Sequence, residues 1–417
     1  MLERSHHRPR HRRLGFGFIV ALLAGLFGAV LALGHSAAAL GIGLAPFRPL
    51  GGSFFSYKAG QAQYLQQLRS ETDAASIRRA LPFGRNILQN SPLSARAAWL
   101  IGVSLEAAGD RRGASAMMAQ ADRISRRESL PQSWLAQQAL RNGDAPLAMK
   151  YLDVMLRTEP ELKPEILPRM SGLLAAPEGA ALFRKYAGPQ THWYPDFLKA
   201  AAETQTDARP VARFLLTKGA YLPRDSVSVE AYRLILRRLA DAGDYPAMVS
   251  FYRKLPEARP VGLASLDLES ANSAISYPPL DWEFVQSADR NASLVTLGED
   301  SVGVEFSSGP GLVATLARKV LIVRDGASLN FDLISRTAND GSTAHWRASC
   351  VAGSGNSSAT RSAELFAGEI LRRIAFDMPA RCQLVLIEFV MSGGVGRDVA
   401  TMLVGNLDLK SGHSRPR

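Results

Sequence analysis

At 417 residues the chain exceeds one ordinary hydrophobic core, which predicts two folded units of roughly 100–200 residues and a short appendage. A composition of 47% hydrophobic and 21% charged residues excludes global disorder and a polytopic membrane protein alike. The net charge of +11 is unevenly placed: residues 1–13 hold five Arg against the single Glu3, and this patch abuts an apolar run, so it reads as a topology signal and not as a nucleic-acid surface.

That run, Leu14 to Leu33, is 20 residues without a charge, the length a helix needs to cross a roughly 30 Å hydrocarbon core. Arg8, Arg10, Arg12 and Arg13 precede it and Arg48 is the first charged residue after it. The bias keeps residues 1–13 cytoplasmic and exports the rest. We therefore expect a single transmembrane helix over 14–34, in the inner membrane, followed by a linker over 35–59. A cleaved signal peptide is the competing reading, because Ala37, Ala38 and Ala39 supply small residues for cleavage. The apolar core is longer than the roughly 7–15 residues of such peptides, which favours the anchor.

Residues 60–270 carry helical patterning with an internal period. Gly109-Asp110 and Gly143-Asp144 lie 34 residues apart, and Gly243-Asp244 follows 100 residues after the second pair. Apolar helix patterns flank each pair, as with Trp99, Leu100 and Val103 before the first. In each, Gly supplies the permissive backbone that ends one helix and Asp caps the next. The stretch Trp134–Pro160, with Gly143, Ala148 and Pro160 in matching positions, resembles the tetratricopeptide repeat family. The resemblance implies an α-solenoid of helix hairpins whose concave face binds a protein partner. Met117, Met118, Met155 and Met248 are read as core.

Past a Pro-containing linker over 271–280 the pattern becomes short β-branched and aromatic runs separated by turn residues, such as Asp325-Gly326 and Gly393-Gly394. Nine strands are predicted between Trp282 and Leu409, which makes 281–410 an antiparallel β-sandwich, with a disordered tail over 411–417. The fold class is thus α followed by β in one chain. Cys350 and Cys382, the only cysteines, fall in predicted strands of an exported domain, where a disulfide is the default and two thiols cannot build a structural zinc site.

The block from Asp281-Trp282-Glu283-Phe284-Val285 through the paired cysteines resembles the jelly-roll, galactose-binding-like modules that follow helical repeats in some bacterial envelope proteins. The resemblance implies recognition of envelope polysaccharide, or a structural and protein-binding role. Candidate ligand contacts are Trp282, His345 and Arg347. Strand alternation sends Trp346 to the core and His345 and Arg347 to the opposite face, whereas Trp282, on the Pro-rich entry strand, is read as core packing ahead of a sugar platform.

Chemistry-bearing motifs are missing from the sequence: it has no phosphate loop, H-E-x-x-H or G-x-S-x-G elbow. Of seven His, only His192 and His345 fall in predicted folded regions, and His192, among aromatics, reads as packing. No catalytic, cofactor or metal residue is assigned. The expected function is a non-enzymatic, membrane-anchored binding or scaffold protein of the periplasm, with carbohydrate binding in polysaccharide production or export as the alternative. A glycan-cleaving enzyme using carboxylates such as Glu305, Asp332 or Glu388 is a further alternative.

Overall fold

A computed structural model describes residues 74–410, apart from 269–270, 272, 299–300, 354–358, 363, 367–371 and 396. The basic tail, the apolar segment over 14–34, the linker over 35–59 and the tail over 411–417 lie outside the described residues. Among those described, no helix is long and apolar enough to cross a membrane. The chain divides into two compact units, one ending at Arg169 and the other beginning at Met170.

The first unit holds α1 (Ala74–Asn90), α2 (Ala95–Ala107), α3 (Arg111–Ile124), α4 (Ser129–Arg141) and α5 (Ala145–Thr158), each packed on the next. Ser94 starts α2 by accepting the Ala97 N–H at 3.2 Å. The contact faces are built from small residues, among them Ala97, Ala98, Ala114 and Ala121, all fully buried. Gly102 shows how near α2 and α3 approach, since a Cβ there would lie 2.9 Å from the Met118 side chain. Helices α2 and α4 are also joined by polar contacts: Glu106 accepts from the Trp134 indole and pairs with Arg141 at 3.1 Å.

α6 (Lys163–Ser171) leads into the second unit, which continues with α7 (Pro177–Arg184), α8 (Tyr194–Thr204), α9 (Arg209–Leu216), α10 (Ser226–Asp241) and α11 (Tyr245–Tyr252). Its helical core is aromatic, with Phe183 stacked on Phe197 at 4.5 Å and Trp193 edge-on to Phe197 at 6.0 Å. His192 is exposed, contrary to its reading as a packed residue, while its neighbours Trp193 and Tyr194 turn inward. An imidazole costs more to bury than the large apolar rings beside it.

The three Gly-Asp turns share one construction. Gly109, Gly143 and Gly243 have φ of 87°, 76° and 70°, a conformation that side chains with a Cβ rarely take. The following N–H of Asp110, Asp144 and Asp244 reaches back to Leu105, Ala139 and Leu239, closing the preceding helix. Each Asp carboxylate then accepts a backbone N–H three residues on, from Gly113 at 2.8 Å, Leu147 at 3.0 Å and Ala247 at 3.2 Å. Met118, Met155 and Met248 are buried, as the sequence pattern implies, and Met117 is partly buried against Ala95, Ala98 and Ala121.

The rest of the second unit is an antiparallel two-sheet β-sandwich. Its strands are β1 (Glu283–Phe284), β2 (Arg290–Thr296), β3 (Val302–Ser308), β4 (Val313–Ile322), β5 (Ser328–Thr337), β6 (Thr343–Gly353), β7 (Ala359–Arg361), β8 (Arg372–Asp377), β9 (Cys382–Ser392) and β10 (Ala400–Lys410). The first sheet runs β1-β4-β9-β6-β7 and the second β2-β3-β10-β5-β8. Alternate residues of both sheets fill the space between them, with Trp346 at the centre against Phe306, Phe331 and Phe389. Cys350 on β6 and Cys382 on β9 are bridged across neighbouring strands, with a Cα separation of 5.7 Å. β7 is the strand that sequence patterning misses, because three residues are too few to show an alternation.

Candidate functional site

The outer face of the first sheet carries a row of charges that crosses all five strands. Glu283 on β1 stands opposite Arg318 on β4, Arg318 opposite Glu388 on β9, Glu388 opposite Arg347 on β6, and Arg347 opposite Arg361 on β7. Directly opposed residues share a face and sit about 5 Å apart at Cβ, so each meets its neighbour. Arg318 donates to Glu283 at 2.6 Å, and Arg347 donates Nε and Nη2 to one Glu388 oxygen at 2.9 and 2.7 Å. Arg237 on α10 reaches the same Glu283 at 4.0 Å.

His345 lies on this face two residues before Arg347 and is 9% exposed. Its Nδ1 is 2.8 Å from Arg361 Nη2. A guanidinium cannot accept a hydrogen bond, so Nδ1 must be the unprotonated nitrogen and the ring is neutral. Burial pushes the imidazole pKa below its ordinary value, and Arg361 and Arg347 push it the same way while Glu364 opposes them. Glu364 itself accepts backbone N–H groups of Ala344 and Phe366 through one oxygen, leaving the other 4.0 Å from Arg361.

Arg347 and His345 thus share one face and one network, but Trp282 does not join them. It is 3% exposed, donates its indole N–H to Leu266 O at 3.3 Å and packs against Phe284 and Trp346 in the sandwich core. That burial removes it as a platform for an exposed sugar ring. The three carboxylates weighed for glycan cleavage are also apart in kind. Glu388 is on the first sheet and tied to Arg347, whereas Glu305 and Asp332 are on β3 and β5 of the second sheet, with Asp332 accepting from Asn406 at 2.7 Å. Among the described residues no group of three or more His, Cys, Asp or Glu could hold a metal ion.

Two features went unread in the sequence. Arg361 is one, because its strand was not predicted. Lys319 is the other: it sits on the inward side of β4, fully buried, with no hydrogen-bond partner for Nζ among the described residues and the Trp282 ring centroid 5.6 Å away. Burial draws its pKa down to about 8, against the opposing charges of Asp281 and Asp267. Asp281 meanwhile joins helix to sandwich, accepting the Tyr252 hydroxyl at 2.8 Å and the Tyr277 N–H at 2.7 Å. The alternation of Ala317, Lys319 and Leu321 marks position 319 as inward, and that is the signal that could have found it. No known protein family matches this sequence, and no curated protein does so.

Proposed function

We propose that the chain is a non-enzymatic binding and scaffold protein of the bacterial cell envelope. In this reading residues 14–34 anchor it in the inner membrane, helix hairpins of tetratricopeptide type engage a protein partner, and the sandwich, of jelly-roll type, meets polymer or a second protein. The observation that carries it is the thrice-repeated turn at Gly109-Asp110, Gly143-Asp144 and Gly243-Asp244, the local signature of stacked helix pairs, which leave extended surfaces for partners. The Cys350–Cys382 bridge supports the exported placement, since disulfides persist in oxidising compartments. The test is crosslinking in intact cells followed by mass spectrometry. Recovery of a reproducible envelope partner through residues of the hairpins is expected; recovery of none from well-expressed, membrane-held protein would sink the reading.

A second reading, carbohydrate binding in surface polysaccharide production or export, is favoured by the exposed guanidinium groups of Arg347 and Arg361 on one sheet face. Arg is suited to planar, two-pronged recognition of acidic groups. A glycan array probed with the whole chain separates it from a purely structural sandwich, for which every spot stays blank.

A further inference from the structure

The row of charge on the first sheet ends out of pattern. Glu283, Arg318, Glu388 and Arg347 alternate in sign, but Arg361 repeats the positive charge directly opposite Arg347. Like charges so opposed cost stability. Arg347 is met by Glu388, whereas Arg361 is met at hydrogen-bond distance by the neutral His345 ring and lies 4.0 Å from Glu364. Both guanidiniums are therefore held from one side, while their side chains stay 44% and 60% exposed.

We propose that Arg347 and Arg361, steadied by Glu388 and His345, form a carboxylate-binding site that takes an acidic polysaccharide of the polyuronate class. The proposal rests on the polymer-binding reading of the sandwich. Two guanidinium forks on adjacent strands, which lie about 4.8 Å apart, can engage carboxylates of one chain, and N–H groups turned to solvent remain free to do so. None of the large apolar side chains exposed among the described residues lies on β6 or β7, the strands that carry the two arginines, although Val313 stands exposed on β4 of the same sheet. Glu283, Glu388 and Glu364 interrupt the positive charge, which suits spaced carboxylates better than the dense phosphates of a nucleic acid.

The experiment is biolayer interferometry of the full-length chain on immobilised polygalacturonate, its methyl ester, neutral dextran and duplex DNA. Binding to the free acid alone is expected, weakening as salt rises. R361A should weaken it at least about tenfold, the loss of one charge-assisted contact. R347A should do the same. Where either alanine variant lowers the unfolding midpoint, R361K is read instead: it keeps the charge but not the fork, and an intermediate loss is expected. Equal binding to acid and ester, a preference for DNA, or affinity unchanged in R361A or, where that variant unfolds, in R361K would overturn the proposal. Partner capture through the hairpins is read by crosslinking, so failure here leaves that reading standing.

Discussion

The helix hairpins and the sandwich reach their folds over different ranges of chain. Each hairpin turn satisfies its backbone within a few residues: a left-handed Gly, one N–H returned to the previous helix and one Asp carboxylate on the next. The sandwich pairs β3 with β10 and β4 with β9, partners far apart in sequence, and its centre at Trp346 collects side chains from both sheets. Local chemistry therefore sets the hairpins one by one. The sandwich exists only as a whole, so damage at its centre should spread and damage at a turn should not.

Trp346→Ala is the strongest challenge to that contrast. It removes one of the two tryptophans of the sandwich core and should cost about 3–5 kcal/mol, read by hydrogen exchange as lost protection in every strand of both sheets. Protection lost on β6 alone would break the comparison. Next comes the double variant Cys350→Ala/Cys382→Ala. The bridge spans 32 residues, and removing it should destabilise the sandwich by about 3–4 kcal/mol on the chain-entropy account, measured by urea unfolding.

Lys319→Met tests the sandwich in the opposite direction. The Lys319 pKa of about 8 lies below the 10.5 of the free side chain, so between those values the unfolded chain binds more protons than the folded one. Stability should rise as pH climbs from about 8 to 10.5. The Met variant should lose that rise and gain at most about 3 kcal/mol at pH 7, one pKa unit being about 1.4 kcal/mol. Urea unfolding across that range checks both, and an unchanged slope would show that Lys319 is not the group responsible. The smallest effect belongs to Asp144→Ala, which removes one helix cap. About 1 kcal/mol of loss is expected, seen as faster exchange at the start of α5 with the sandwich untouched.

What could be read in advance follows the same division. The Gly-Asp turns were legible because their chemistry is contiguous, and most strands were legible because alternation over six or more residues is a strong signal. Cys350 and Cys382 were legible as a pair because no other cysteine exists. Of the candidate contacts, alternation along β6 correctly separated Trp346 from His345 and Arg347. It could not assign Trp282, since β1 is two residues long. Nor could it find Arg361, whose partner His345 is 16 residues away across a strand pair.

By itself the sequence determined the order of helix and strand, the hairpin turns, and the apolar run at 14–33 with its flanking charges, because each depends on neighbours within a few residues. Tertiary structure decided which charges face one another. Register brought Arg347 and Arg361 together, placed Glu388 beside Arg347 and away from the acids of the second sheet, and buried Lys319 under Trp282. Those outcomes depend on pairings between distant strands, and a side chain's charge says nothing about its partner until the sheet has closed.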